Sequence, residues 1–200
     1  MDFQIIHYEE IDSTNREAWR SINRHASLSN AVSNTISNTV IIAKRQTQGR
    51  GQRGNTWRSP LGGLFMSVIL QPNILQPIRA ADAHQITLWA AWGIAKALNE
   101  TGANVKLKWL NDLLIDRRKL GGILTETRIG SGKINYAVVG IGINWTNEVP
   151  DGAIALGELP TTLSSMDELI EVVLSGLQLG KSHCDHFVPR KYSCFTFELC

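Results

Sequence analysis

Apolar residues fall along the chain in two kinds of pattern, which predict strands and helices within one fold. Short alternating or continuous apolar runs predict strands, and they occur at residues 3–8, 40–43, 64–70, 105–109, 110–116, 120–126 and 134–144. Apolar residues at helical spacing predict helices, and they occur at residues 14–22, 78–100 and 166–177. Short turns at 117–119 and 130–132 join the last three strands, which favours an antiparallel meander in an α+β fold.

The fourth predicted strand carries two lysines whose role the pattern leaves open. Alternation places Val105, Leu107 and Trp109 on the inner face of this strand. Lys106 and Lys108 then share the opposite face, where solvated lysines are the ordinary explanation. A ligand-binding role for either lysine needs evidence from elsewhere in the chain.

Composition fits one globular domain and disfavours several other classes of protein. The 200 residues are 43% hydrophobic and 19% charged, and a net charge of +2 is too small to indicate a nucleic-acid or membrane surface. No apolar run is long enough for a membrane span, and the N-terminus lacks a targeting pattern, so we expect a cytoplasmic protein. Cys184, Cys194 and Cys200 lack metal-site spacing, and His183 and His186 add too few ligands, so no metal site is expected.

Residues 44–60 form a basic, glycine-rich stretch that predicts an anion-binding loop. The stretch contains five basic residues, three glycines and no carboxylate. Glycine permits close backbone approach, so N–H groups and guanidinium groups can converge on a phosphate or carboxylate. The stretch also matches Gly-x-Gly-x-x-Gly, but it is followed by a predicted strand at 64–70, and residues 44–81 contain no acid to hold a ribose. A dinucleotide site is therefore disfavoured.

Three small polar residues, Ser13, Thr14 and Asn15, begin the first predicted helix. Thr14 and Glu17 have the spacing of a capping box, so these residues can be explained as helix caps alone. The same side chains would also suit a neutral polar ligand at the N-terminus of the helix. Both interpretations remain open at this point.

Glycines within the predicted meander raise a similar choice. Gly121 and Gly122 are adjacent, and Gly140 and Gly142 alternate within a strand pattern. Glycine inside a strand allows a ligand or another backbone to come close, and tight sheet packing explains it equally well.

Five separated motifs carry a resemblance to a known family. They are residues 13–15 (STN), Gln46 with 49–57 (GRGQRGNTW) and 59–60 (SP), 108–112 (KWLND), 119–124 (KLGGIL) and 140–144 (GIGIN). Together and in this order, they resemble the catalytic domain of biotin-protein ligases over about residues 3–180. The resemblance implies a mixed, largely antiparallel sheet packed with helices, similar to the biotin/lipoate ligase catalytic fold.

The resemblance implies an ATP-dependent biotin-[acetyl-CoA-carboxylase] ligase. In this family, the biotin carboxylate attacks the α-phosphate of ATP to give biotinyl-5'-AMP. A lysine of a biotin carboxyl carrier domain then attacks the carbonyl of that intermediate. Mg²⁺ would accompany ATP. Such a site must hold two anions together, which requires cations, and it must keep water from the intermediate.

The resemblance also assigns roles to individual residues. Biotin would be bound by Ser13, Thr14, Asn15, Gln46, Arg50, Gly51, Gln52 and Lys108. Lys108 and Arg50 would be catalytic, because the compact charge of Lys108 would stabilise the charge that develops between carboxylate and α-phosphate. Arg53, Trp57 and Asn144 would lie on the nucleotide side.

Three positions depart from the family pattern. Gln52 and Asn55 stand where relatives often have arginine, and Leu110 stands where they often have proline. The glycine-rich loop is therefore less basic than is usual in the family. The neutral Gln52 predicts faster dissociation of biotinyl-5'-AMP, because a neutral hydrogen bond replaces a charged one.

The extent of the resemblance leads to further expectations. We expect a catalytic domain at residues 1–180 and a divergent tail at 181–200, with no room for the small C-terminal β domain of many relatives. We expect no DNA-binding extension and therefore no DNA partner, and the lack of a long apolar run predicts that no membrane is a partner. The resemblance leaves a homodimer open.

Two other functions remain as alternatives. One is a biotin-binding module that has lost ligation, and the other is an acyltransferase of the lipoate or octanoate ligase type. The signature of the second is absent, whereas the motifs of the biotin enzymes are present.

Overall fold

A computed structural model of the protein describes residues 2–28, 36–72 and 78–186. The strands are Gln4–Ile11 (β1), Thr39–Gln46 (β2), Leu64–Leu70 (β3), Lys106–Lys108 (β4), Asp112–Ile115 (β5), Arg118–Gly130 (β6) and Lys133–Ile143 (β7). The helices are Thr14–Leu28 (α1), His84–Glu100 (α2) and Met166–His186 (α3), with 3-10 turns at Gln52–Gly54, Ala80–Asp82 and Leu156–Glu158.

The strands form one seven-stranded sheet in the order β1-β2-β3-β7-β6-β5-β4. β1 runs parallel to β2, whereas the pairs β2–β3, β4–β5 and β5–β6 are antiparallel. The predicted α+β fold with a mixed, largely antiparallel sheet is confirmed. The chain divides into two compact units, one of Met1–His84 with Leu124–Gly142 and the other of Gln85–Ile123 with Ile143–Cys200.

In the first unit, α1 is the crossover that a parallel β1–β2 pair requires. Its inner face is made by apolar residues one turn apart, which pack on the sheet. The fully buried core of this unit contains Ala18, Ile22, Ile41, Ile69 and Val138. This packing fixes the start of α1 over the sheet.

The pairing of β1 with β2 continues past the strand ends and brings the start of α1 beside the basic loop. Thr47 N donates to Ile11 O at 2.9 Å, and Gln48 N donates to Asp12 O at 2.8 Å. The Asp12 carboxylate accepts from Ser13 N at 2.8 Å and from Arg20 Nη2 at 2.5 Å. Burial raises the pKa of Asp12, but the hydrogen bonds from Arg20 and Ser13 outweigh it and leave a net pKa below the usual value. Asp12 is therefore ionised at neutral pH and anchors this junction.

In the second unit, α2 and α3 meet at glycines. A Cβ atom at Gly93 would overlap Gly176 O, and one at Gly180 would overlap Trp89 O. The helix backbones thus touch directly, and both helices bury most of their facing residues. The helix predicted at residues 78–100 is confirmed from His84 onward, where most of its residues are buried, whereas residues 80–82 before it form a 3-10 turn that is not buried.

Three expectations differ from the structure. Trp109 does not share the buried face of Val105 and Leu107: it is 56% exposed, because β4 ends at Lys108 and the chain turns there. The Ser- and Asn-rich composition of residues 27–39 predicts a loop, but residues 27–28 belong to α1 and Thr39 belongs to β2, and residues 29–35 lie outside the described residues. α3 continues to His186 although its apolar period ends near Gly180.

The predicted tail overlaps α3 in its first residues, and residues 187–200, with Cys194 and Cys200, lie outside the described residues. The division between a catalytic domain at 1–180 and a tail at 181–200 stays a prediction. Within the ranges that the structure describes, no helix combines the length and the apolar character needed to cross a membrane.

Candidate functional site

The glycine-rich loop is a small hairpin rather than the start of a helix. Gly51 N donates to Asn55 O at 2.7 Å, and Trp57 N donates to Gly49 O at 3.0 Å. A 3-10 turn at Gln52–Gly54 forms the tip, where Arg53 has φ 56°. The next element is strand β3, so the helix that a dinucleotide site requires does not follow the loop.

Gln46 joins the start of α1 to Ser59, which follows the second strand of this hairpin. Its Oε1 accepts a hydrogen bond from Thr14 N at 2.8 Å, and its Nε2 donates to Ser59 Oγ at 2.8 Å. The Ser59 hydroxyl donates in turn to Trp57 O at 3.1 Å. Gly49 begins the hairpin, and a side chain there would overlap Trp57 O, so this position admits only glycine. The hairpin is therefore held closely at its base.

Ser67 is a buried hydroxyl that orients two residues of α1. It is 0% exposed, and its Oγ lies 2.7 Å from Thr14 Oγ1 and 2.6 Å from Asn15 Oδ1. A hydroxyl carries one proton, and the amide oxygen of Asn15 can only accept. The Ser67 proton therefore goes to Asn15, and the one proton of the Thr14 hydroxyl faces two acceptors, Ser67 Oγ at 2.7 Å and Gln46 Oε1 at 3.2 Å.

Glu126 connects Asn15 to Arg50, which lies in the first strand of the hairpin. Asn15 Nδ2 donates to Glu126 Oε2 at 2.9 Å, and Trp19 Nε1 donates to the same oxygen at 3.2 Å. The other carboxylate oxygen forms an ion pair with Arg50 Nη1 at 2.8 Å. A chain of hydrogen bonds thus runs from Arg50 through Glu126, Asn15, Ser67, Thr14 and Gln46 to Ser59.

The glycines of β7 make space for side chains of this network. A Cβ atom at Gly140 would overlap Asn15 Oδ1, and one at Gly142 would lie 2.6 Å from Trp57 Nε1. Asn15 and Trp57 therefore rest directly on the strand backbone. Side-chain packing on the sheet accounts for these glycines.

The capping-box interpretation of the helix start is wrong. In a capping box, the Glu17 side chain would accept from Thr14 N, but Thr14 N donates to Gln46. The Glu17 carboxylate instead accepts from Arg20 at 2.7 Å and Arg24 at 2.6 Å. Ser13, Thr14 and Asn15 are all buried, and the last two join the polar network rather than capping the helix.

Two predicted site residues, Lys108 and Asn144, belong to the second unit. Lys108 is exposed on β4, where it pairs in register with Asp112. Asn144 is 5% exposed, and its Nδ2 donates to Lys119 O and Ile154 O, both at 3.3 Å. Asn144 thus braces the backbone of its own unit, and its nucleotide contact stays a prediction.

The other predicted residues lie in the first unit. The start of α1 and the base of the hairpin hold Ser13, Thr14, Asn15, Gln46, Arg50 and Trp57. The outer part of the hairpin is formed by Gly51, Gln52 and Arg53. The sequence analysis included Ser59 in a motif without giving it a role, and it missed Ser67 and Glu126. Ser67 leaves a signal, because it is a lone hydroxyl in the middle of an apolar strand. Among the residues that the structure describes, no group of three or more His, Cys, Asp or Glu side chains could hold a metal ion.

The sequence and the fold are similar to those of known proteins. Residues 9–144 match the model of the biotin/lipoate A/B protein ligase family. The chain is 32% identical over 166 residues to the bifunctional ligase/repressor BirA of Bacillus subtilis (strain 168), covering 82% of this chain and 47% of that protein. It is 30% identical over 122 residues to the biotin--[acetyl-CoA-carboxylase] ligase of Paracoccus denitrificans, covering 60% and 50%.

A solved structure is similar as well. The biotin protein ligase from Aquifex aeolicus in complex with biotin and ATP has a TM-score of 0.67 and 30% identity, covering 92% of this chain and 72% of that chain. The chain spans about half the length of the curated relatives named above. The family model matches most of the chain, and the fold agrees with it. The chain therefore belongs to the biotin/lipoate A/B protein ligase family.

Proposed function

We propose that this protein is an ATP-dependent biotin-protein ligase, which forms biotinyl-5'-AMP and transfers biotin to a lysine of a biotin carboxyl carrier domain. The observation that carries the proposal is the network of neutral polar side chains at the start of α1, joined at both ends to a basic hairpin. Neutral polar side chains beside a basic hairpin suit an acid whose ring is polar and uncharged.

The ureido ring of biotin presents one carbonyl acceptor and two N–H donors. Asn15 donates to Glu126 at 2.9 Å and to Leu124 O at 3.5 Å, and one lone pair of its amide oxygen accepts from Ser67, so one acceptor position remains for a ligand. Gln46 and the hydroxyl of Ser13 would add further partners. The network fixes these groups before biotin arrives, which lowers the entropy cost of binding.

The proposed chemistry needs cations near two anions. Lys108 would stabilise the charge that develops when the biotin carboxylate attacks the α-phosphate, and Arg50 and the backbone of Gly51 would hold the acyl-phosphate side. Gln52 would contribute a neutral hydrogen bond, and Arg53, Trp57 and Asn144 would contact the nucleotide. Mg²⁺ would be held mainly by phosphate oxygens and water, as it commonly is in ATP sites, and it would neutralise phosphate charge.

Several features of the cellular setting belong to the same proposal. The relatives are named as ligases of biotin and protein, which supports a carrier domain as the acceptor. We propose a cytoplasmic location, no DNA partner and a homodimer as the assembly to test first.

Biotin-dependent exchange of labelled pyrophosphate into ATP tests this function, because it reports reversible formation of biotinyl-5'-AMP. We expect exchange with biotin and none with lipoate or without an acid. Exchange with lipoate would instead favour the acyltransferase alternative. Biotin binding without any exchange would identify a binding module and contradict the ligase.

A further inference from the structure

We propose that Glu126 is a positioning residue that joins the biotin pocket to the glycine hairpin and competes with the anionic group of the ligand for Arg50. The inference rests on the proposed function, since it assumes that biotin occupies the network around Asn15. The ligand expected at this site is a carboxylate or acyl phosphate attached to a neutral polar ring.

The two oxygens of Glu126 face different partners. Oε2 accepts from Asn15 Nδ2 at 2.9 Å and from Trp19 Nε1 at 3.2 Å, and both donors belong to α1. Oε1 faces Arg50 Nη1 at 2.8 Å. The half of the carboxylate that contacts α1 is held by two neutral donors from a packed helix, so it stays in place whether or not Arg50 is bound.

This arrangement determines the orientation of Asn15. A carboxylate can only accept hydrogen bonds, so the amide nitrogen of Asn15 must face Glu126 and its oxygen must face Ser67. The atoms that Asn15 can offer to a ligand are fixed by an acidic residue that is distant in sequence.

The other carboxylate oxygen, Oε1, pairs with Arg50 in a contact that a ligand anion could replace. The Arg50 side chain is 43% exposed and belongs to the hairpin, whereas the Glu126 side chain is 22% exposed. An exposed arginine has several N–H donors and can turn toward a second anion. A ligand carboxylate or phosphate near Arg50 must then share it with Glu126 or displace Glu126 from it, and either costs affinity.

Glu126→Gln separates the positioning of Asn15 from the competition for Arg50. The amide is nearly the same shape as the carboxylate, and its oxygen can still accept from Asn15 and Trp19. Its negative charge is lost, so Arg50 no longer has a competing anion. Glu9→Gln is the matched control, because it removes the same charge from an exposed acid of the same unit that pairs with Lys44.

Calorimetric titration with biotin, which carries a carboxylate, and with biotinamide, which does not, measures the competition. In Glu126→Gln, we expect the Kd for biotin to fall about threefold to tenfold and the Kd for biotinamide to change less than about twofold. In Glu9→Gln, neither Kd should change by more than about twofold. In the Arg50→Ala background, Glu126→Gln should shift the biotin Kd by less than about twofold.

The outcomes separate this inference from the proposed function. If wild-type protein binds biotin but Glu126→Gln weakens both ligands equally, or changes neither, Glu126 has only a structural role and the inference is wrong. If wild-type protein binds neither ligand, the proposed function fails and the inference fails with it. Should Glu126→Gln not fold, Arg50→Ala alone must weaken biotin and spare biotinamide; equal weakening of the two overturns the inference.

Discussion

Lys108→Ala is expected to lower biotin-dependent pyrophosphate exchange by about 100-fold or more, because it removes the charge proposed to stabilise the developing acyl phosphate. The side chain is exposed on β4, so its loss should not disturb the core. We expect the unfolding midpoint of Lys108→Ala to stay close to that of wild type.

Lys106→Ala is the matched control, since Lys106 lies two residues earlier on the same strand and points to the same face. It should keep exchange within about threefold of wild type. Lys108→Arg should recover only part of the lost rate, because a planar guanidinium replaces a compact ammonium. Equal loss in both alanine variants, or no loss in Lys108→Ala, would contradict the role assigned to Lys108.

Gly140→Ala is expected to weaken biotin binding by about 30-fold or more and to destabilise the fold by about 1–3 kcal/mol. A Cβ atom at this position would overlap the amide oxygen of Asn15. Asn15 cannot move aside cheaply, because Ser67 and Glu126 hold its two amide atoms. The substitution must therefore break hydrogen bonds in a buried site or push α1 away from the sheet.

Gly122→Ala provides the comparison, since the nearest atom to its Cβ would be Asp112 Oδ1 at an ordinary 3.5 Å. Denaturant unfolding and biotin titration of both variants test the prediction. We expect Gly122→Ala to unfold close to wild type and Gly140→Ala to unfold at lower denaturant with weaker binding. A Gly140→Ala variant that binds biotin like wild type would show that the contact with Asn15 is not needed.

Local pattern predicted most of the fold. Apolar runs located the strands and the meander, because each strand buries side chains on a fixed face. The errors arose where a local rule met a tertiary partner or a chain turn. Alternation assigned Trp109 to the core, but β4 ends one residue before it. The spacing of Thr14 and Glu17 suggested a capping box, but Arg20 and Arg24 take the Glu17 carboxylate.

The candidate site was predicted less completely than the fold. Motifs located Asn15, Gln46 and Arg50, but they did not locate the residues that connect them. Ser67 is 52 positions from Asn15, and Glu126 is 111 positions from it, so only the folded sheet brings them together. Their function depends on geometry across the sheet, which neither periodicity nor residue spacing encodes.

The central claim is that Asn15 and Gln46 recognise biotin, and NMR of side-chain amide groups tests it most directly. Both residues carry NH₂ groups that report on ligand contact, and Asn99, whose Nδ2 donates to Val105 O at 3.0 Å in the second unit, serves as an internal reference. Adding biotin should shift the NH₂ signals of Asn15 and Gln46 and leave Asn99 unchanged, and lipoate should shift none of them. Unchanged signals of Asn15 and Gln46 in protein saturated with biotin would contradict the claim.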